Sequence, residues 1–440
     1  ILEMDESGAL ATAEYWDLPG AVDEAGRPRE YYVQRYREQL EECVSSHLMS
    51  DVPLGVFLSG GLDSSAVAAI TTKIRKEPIE TFSVGYGEEE FSELPYARQI
   101  AGHLKSRHYE VRLGREEFFE SLPRLIWHED EPIVWPSSVA LNFVARLARE
   151  RVTVVLTGEG SDETLGGYAR YAWTLTNARL DGIYRGLTPD FLRRMIRGGM
   201  GSFPVSAAAK RKLEHTFLMR DGESWPSFYF DNFYSAFSGP EQLELMTEET
   251  RLRAGDPYAA AMGYWRKSSG DLLHRLLYTD IKTYLVELLM KQDQMSMAAS
   301  IESRVPFLDH ELVEFTAGIP AKYSISGMAG KQILKSAVAD LLPQSITHRK
   351  KMGFPTPWEY WLAGPQMDDL ERILLGPRAT QRGLFRPEEV RRIFAEHRAG
   401  VRDHGNRIWR LLNLELWLRI CVEGDDFAEA PLPARVLAFK

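Results

Sequence analysis

Cysteine is almost missing from this chain, with only Cys43 and Cys421 in 440 residues. Both fall in amphipathic helical patterns, so they read as core thiols and a disulfide framework is excluded. No C-x-x-C pair occurs, and no zinc or iron–sulfur site is signalled. No apolar run approaches the ~20 residues needed to span a bilayer, which argues against membrane insertion; a cytoplasmic location is a separate expectation. Positive charge is also in deficit. Lys and Arg number 53 against 63 Asp and Glu, and the net charge of −10 argues against a general nucleic-acid binder. One basic stretch exists: Arg193, Arg194, Arg197, Lys210, Arg211 and Lys212 around Gly198, Gly199 and Gly201. It reads as a solvated loop. His108, His128 and His310 lack triad or metal spacing and read as structural. No internal repeat or low-complexity tract interrupts an ordinary composition, 44% hydrophobic and 26% charged. The length allows two domains, or one large domain with additions.

What is present is concentrated first in Ser59-Gly60-Gly61-Leu62-Asp63-Ser64-Ser65. An apolar segment, Val52 to Leu58, precedes it, and a helical pattern with Val67, Ile70 and Ile74 on one face follows. Strand, glycine loop and helix in that order build an anion site. Glycine lets the backbone approach a phosphate, and the helix start offers free N–H groups and a positive dipole end. Asp63 would repel a bare phosphate, and it makes sense with a divalent cation between carboxylate and phosphate. No Gly-Lys-Ser/Thr follows, so this is not a Walker loop, nor is it G-x-G-x-x-G. The loop resembles that of ATP pyrophosphatases, which cleave ATP between the α and β phosphates. An ordinary strand-to-helix turn is the bland alternative.

The surrounding pattern alternates. Helix is expected over 31–49 and 64–75, strand over Ile79–Tyr86, helix over Leu94–Leu104 and strand over Arg107–Leu113. A helix over Ser137–Glu150 and a short apolar strand, Val152–Leu156, follow. This order predicts a doubly wound α/β parallel sheet, with ligands beyond the carboxyl ends of its strands. Strand signals fade after about 170. Residues 174–280 read as aromatic-rich helices with Gly/Pro breaks, and 281–420 as helices and loops. The expected division is a linker over 1–30, one domain over 31–425 with an α/β core at about 50–170, and a tail over 426–440.

The second constellation, Thr157-Gly158-Glu159-Gly160-Ser161-Asp162-Glu163, follows the Val152–Leu156 strand. Three acids in five residues repel one another unless a metal or cation relieves them. Asp162 is a natural magnesium ligand beside Asp63, and Glu159 a candidate general base. Helix capping, with Ser161 at the cap, is the alternative. It covers Asp162 and Glu163 but leaves Glu159 and the glycines unexplained.

Here the chain resembles the asparagine synthetase family. The two loops match its synthetase-domain motifs. Glu302-x-Arg304-x-Pro306-Phe307-Leu308-Asp309, Gly330-Lys331-Gln332-Ile333-Leu334-Lys335, Arg349-x-Lys351-x-Gly353-Phe354 and Trp409 to Trp417 look like further signatures in family order. The resemblance runs from about 31 to 420. It implies the adenine-nucleotide α-hydrolase-like fold with a large helical extension. It also implies a glutaminase domain elsewhere in a longer protein, since no such domain precedes residues 1–20 here. A free-standing ammonia-using protein is the alternative.

The resemblance further implies roles. Backbone at Leu58, Val84, Thr157 and Gly158 would hold adenosine. Ser59, Gly60, Gly61, Asp63 and Ser64 would hold pyrophosphate, with Mg2+ on Asp63 and Asp162. A carboxylate, aspartate by default, would be adenylated by ATP, and ammonia from the glutaminase domain would then displace AMP. Lys331 would stabilise charge on the α-phosphorus, and Glu159 would take the ammonia proton. Arg349 and Lys351 would neutralise pyrophosphate or else form a solvated basic loop. Lys335 reads as a surface charge, and Arg304 as a buried ion-pair partner of Asp309 or Glu302, with a substrate-side role as the alternative. A homodimer is a further expectation. Relatives of this family close β-lactams or macrolactams, so a ligase or cyclase acting on another carboxylate stays open. So does a catalytically silent scaffold. A tRNA-modifying adenylase is disfavoured by the acidic charge. The segment Asp130 to Ser138 should line the acyl site, with Trp135 either in that pocket or in the core.

Overall fold

The computed structural model describes residues 1–20, 26–200, 216–218, 229, 236–349, 351–353, 356–362 and 366–426. Phe354, Lys210, Arg211, Lys212, Gly201 and the tail from 427 onward lie outside the described residues. The centre is a five-stranded sheet in the order β5-β4-β3-β6-β7, parallel at every pairing. Its strands are β3 (Leu54–Phe57), β4 (Glu80–Tyr86), β5 (Arg107–Leu113), β6 (Val154–Leu156) and β7 (Glu302–Arg304). A separate antiparallel hairpin pairs β1 (Leu2–Met4) with β2 (Leu10–Thr12).

Helices α1 (Arg29–His47), α2 (Leu62–Arg75) and α3 (Leu94–Leu104) cover one face of the sheet, and α4 (Arg115–Glu129) and α5 (Ser137–Arg149) the other. Two-residue alternation along the strands sorts the core between these faces. Leu54, Val56, Leu58, Val154 and Leu156 pack with Tyr36, Val67, Ile70 and Ile100. Phe82 and Val155 pack with Leu122, Leu125, Val144 and Ala148 on the far side. Each such aliphatic side chain contributes roughly 1.5–3 kcal/mol when fully buried.

The chain leaves β3, steps outward through β4 and β5, and returns as β6 on the other side of β3. That reversal makes a crevice at the carboxyl ends of β3 and β6, where open α/β sheets bind ligands. The glycine loop follows β3, and the acidic loop follows β6 and leads into α6 (Ser161–Leu165) and α7 (Ala169–Leu187).

The doubly wound parallel sheet is as expected, with β6 starting at Val154 rather than Val152 and two further differences. The first strand of the sheet, β3, starts at Leu54 rather than Val52, because Pro53 has no N–H to give a ladder. The expectation of only helices and loops after 281 is corrected by β7. Its Glu-Ser-Arg sequence carries no strand signal, and its place is set by pairing with β6. The long helical remainder otherwise follows the pattern, including Leu272–Lys282, Tyr284–Met297 and Gly405–Trp417. The weakly patterned N-terminal stretch is tied to it. Trp16 Nε1 donates to Glu314 at 2.7 Å, and Asp17 pairs with Lys282 at 2.7 Å and Lys267 at 2.8 Å.

Candidate active site

The glycine loop is shaped by close approach. Gly60 has φ +72°, and a Cβ there would lie 2.5 Å from the backbone nitrogen of Ala97 at the start of α3. Only glycine fits that turn and that contact. The Ser59 N–H donates to Ser64 Oγ at 3.2 Å, and the Gly61 N–H donates to Ser59 Oγ at 3.2 Å. The hydroxyls thus brace the loop while the first N–H groups of α2 face the crevice. The acidic loop touches it backbone to backbone. A Cβ on Gly158 would lie 2.6 Å from the Ser64 nitrogen.

Gly160, not Ser161, stands at the start of α6, with φ +90° and no side-chain cap. The capping alternative therefore fails for Ser161. Its hydroxyl instead accepts a hydrogen bond from Lys331 Nζ at 2.8 Å. Lys331 reaches the same point from 268 residues beyond Asp63, whose Oδ2 it meets at 2.6 Å. Asp162 Oδ1 lies 2.7 Å from the same ammonium, and Lys351 pairs with Asp162 Oδ2. Lys331 is buried and its backbone is left-handed, at φ +55°. That conformation costs a non-glycine residue roughly 1–2 kcal/mol, so the surroundings must hold it there.

Electrostatics fix the charge states. Burial would raise the Asp162 carboxyl, but Lys331 and Lys351 outweigh it and hold it at about 2. Burial would lower Lys331, yet Asp162 and Asp63 keep it well above the usual lysine value. The neighbouring Glu163 goes the other way. Burial, Asp162 and Glu159 push it up to about 8, so it carries a proton at neutral pH. Tyr168 donates its hydroxyl to Glu163 Oε1 at 2.5 Å. Glu159 is half-buried and near enough to Glu163 to repel its charge.

Arg349 sits at the other end of the glycine loop. Its guanidinium donates to the Gly60 carbonyl at 3.4 Å and to Glu93 Oε1 at 2.8 Å, and it stacks 3.6 Å over the Tyr96 ring. Burial lifts Glu93 to about 7 even beside Arg349. Where adenosine was expected, the Leu58 N–H is committed to Phe82 O at 2.8 Å and the Thr157 N–H to Arg304 O at 2.9 Å. Val84 is two residues beyond Phe82, so its backbone groups turn to the same side, past the last β3 pairing at Phe57.

The structure thus brings together Ser59, Gly60, Gly61, Asp63, Ser64, Gly158, Glu159, Asp162, Lys331, Arg349 and Lys351 in one crevice. Arg304 is structural, paired with Glu302 at 2.6 Å and donating to the His47 and Met49 carbonyls. Lys335 is half-buried rather than a plain surface charge, and its ordinary value is lowered by burial and by Lys331. Trp135 is half-buried with its ring edge-on to Tyr284 at 5.7 Å and under Arg410 at 5.2 Å. Sequence reasoning gave Ser161 and Glu163 no role beyond capping and the acidic cluster, and it missed Glu93 and Tyr168. The Gly166-Gly167-Tyr168 punctuation after the acidic loop was the available signal for the last.

For a metal, Asp63 Oδ1 is buried without a hydrogen-bond partner among the described residues. No group of three or more His, Cys, Asp or Glu could hold an ion among those residues. Two carboxylates fit a magnesium ion that arrives with phosphates, because Mg2+ usually takes one or two protein carboxylates and fills its shell with phosphate and water.

A parallel sheet carrying a glycine loop and an acidic loop on either side of its switch point defines an adenine-nucleotide α-hydrolase-like domain. The asparagine synthase family model matches residues 35–419, and the chain belongs to that family. It is 36% identical over 394 residues to the "Putative asparagine synthetase (glutamine-hydrolyzing)" of Mycobacterium tuberculosis, covering 87% of this chain and 57% of that protein. Asparagine synthetase (glutamine-hydrolyzing) 1 of Bacillus subtilis is 30% identical over 392 residues, covering 89% and 60%. The amidase chyE of Penicillium rubens is 27% identical over 401 residues, covering 82% and 58%. The chain therefore spans somewhat more than half the length of these relatives. Among the described residues no helix is long and apolar enough to cross a membrane.

Proposed function

We propose that this chain is the synthetase part of an ATP-dependent amide ligase. It adenylates a small carboxylate, aspartate in the first reading, with release of pyrophosphate, and ammonia then forms the amide. The observation that carries this is the meeting of Lys331 with Asp63, Asp162 and Ser161, all within 2.8 Å, at the junction of the two loops.

The residues divide the work. The N–H groups of α2 and the Ser59 and Ser64 hydroxyls receive the phosphates, and the open edge at Val84 receives the adenine. Lys331, buried and permanently charged, faces the place where negative charge grows on the α-phosphorus as the carboxylate oxygen attacks. Such a preorganised cation in a dry site contributes a few kcal/mol. Arg349 and Lys351 neutralise the departing pyrophosphate. Glu159 accepts the proton that ammonia sheds as its nitrogen bonds the acyl carbon and AMP leaves. Asp63 and Asp162 would hold magnesium, which when bound offsets phosphate charge. Ammonia comes from a glutaminase domain, as the names of the relatives suggest.

Trp135 favours a second reading. Its ring stands with Tyr284 beside the acidic loop, since Tyr284 also meets Tyr168 edge-on at 5.8 Å. A wall of this bulk suits a carboxylate other than free aspartate. The experiment is pyrophosphate release from Mg-ATP and ammonia across a panel of carboxylates. Release with aspartate, matched by asparagine and AMP, supports the first reading. Release with another acid moves the chain to the second. Absence of release across the panel, in this chain and in a longer form carrying a glutaminase domain, refutes both.

A further inference from the structure

Lys351 presents a problem that the functional reading leaves open. Its side chain is 42% exposed, on a short loop, yet it is placed against the half-buried Asp162. Something must hold a long, flexible cation over the acidic loop. The candidate is the Tyr168 ring, whose centroid lies 4.2 Å from Lys351 Nζ and 4.0 Å from the Arg170 guanidinium carbon. One ring thus meets two cations.

Tyr168 is fixed on every side. Its hydroxyl is tied to Glu163 and its edge meets Tyr284. Arg170 is fixed in turn. It donates to Asp280 Oδ2 at 2.9 Å and to Tyr229 Oη at 2.8 Å, with the Tyr284 ring 4.4 Å away. Asp280 is fully buried and also accepts from Tyr171 at 2.5 Å and Tyr229 at 2.7 Å. Asp280 and Tyr284 belong to the helices Leu272–Lys282 and Tyr284–Met297, more than 100 residues beyond the acidic loop in sequence. Three hydrogen bonds on one buried carboxylate make that anchor rigid.

We propose that Tyr168 is a positioning residue that seats Lys351 over the acidic loop, and that the helices beyond α7 act on the site through Arg170 and this ring. The proposal rests on the reading that Lys351 meets pyrophosphate. Nothing in it requires Tyr168 to touch substrate. A ring that stabilises a cation's position by cation–π attraction should be energetically coupled to that cation, and a Phe ring, which lacks only the hydroxyl held by Glu163, should keep that coupling.

The experiment is titration calorimetry of inorganic pyrophosphate with magnesium against the parent, Tyr168→Leu, Lys351→Met, their double variant and Tyr168→Phe. Tyr168→Leu and Lys351→Met should each weaken binding about ten-fold. The double variant should bind no more weakly than Lys351→Met alone, and Tyr168→Phe should stay within about two-fold of the parent. Additive losses in the double variant, or parent-like binding by Tyr168→Leu, would overturn the inference. Should Tyr168→Leu fail to fold, a Phe variant that loses affinity still overturns it, because the ring alone would then not suffice. Pyrophosphate that does not bind the parent overturns the inference and the functional reading together. Binding by the parent with additive variants overturns the inference alone.

Discussion

Replacing Lys331 by Met removes one charge from the centre of the site while keeping most of its volume. Its magnitude follows from Asp162. That carboxyl titrates at about 2 rather than its ordinary 3.8, which is about 2 kcal/mol of stabilisation from its cationic neighbours, net of burial. Removing Lys331 also leaves the burial penalty and the Asp63–Asp162 repulsion with only Lys351 to offset them, so the expected loss of stability exceeds that figure and is about 3–5 kcal/mol near neutral pH. Overpacking and cavity effects are small, because Met nearly matches the lysine stem. The pH dependence separates charge from packing. A carboxyl whose folded value lies below its unfolded one stabilises fully above about 3.8 and loses that contribution as pH falls through about 2. The gap between parent and variant should therefore be full at neutral pH and close between about pH 4 and about pH 2. The assay is the urea midpoint at several pH values, with the slope checked for constancy. A gap that persists unchanged at the acid end would mean that Lys331 acts by packing. Pyrophosphate release should fall about 100- to 1,000-fold in the same variant. Release equal to the parent's would remove Lys331 from the chemistry.

Three further outcomes are expected. Glu159→Gln should still release pyrophosphate with a carboxylate but form amide about 100-fold more slowly or worse, and an unchanged amide yield would make Glu159 structural. Glu163→Gln should be more stable than the parent at alkaline pH. The parent's folded value of about 8 lies above the unfolded 4.5, so its stability drains as pH rises between these values. Denaturation midpoints that stay parallel from about pH 5 to about pH 8 would count against this burial. Asp63→Asn should raise the magnesium concentration needed for half-maximal pyrophosphate release, and an unaltered magnesium titration would sink that assignment.

Much of the site was legible because its two loops are local objects. A buried strand, a glycine turn and a helix start can be read in a dozen consecutive residues, and Ser59 to Ser64 and Thr157 to Asp162 each form such a unit. Parallel strands at β3 to β6 followed from the same local alternation. The motif at Lys331 was visible too, through its resemblance and not through any local physics. Its left-handed backbone and its placement between two carboxylates carry no local signal. Ser161 shows the limit of local rules. It occupies a position where a cap is the ordinary expectation, yet Gly160 starts the helix and frees the hydroxyl for Lys331.

The sequence by itself determined the class of sheet, four of its five strands and the two loops at its switch point, because each depends on periodicity and turn chemistry within short windows. Tertiary structure alone decided the rest. It made a strand of Glu302–Arg304, which has no strand former, by offering it the free edge of β6. It turned Glu163 from a first-turn acid into a buried, protonated one by surrounding it with Asp162, Glu159 and Tyr168. It brought Lys331 to Asp63 across 268 residues of chain. Charge states and long-range contacts depend on which groups exclude water from one another, and that is fixed only when the whole chain has packed.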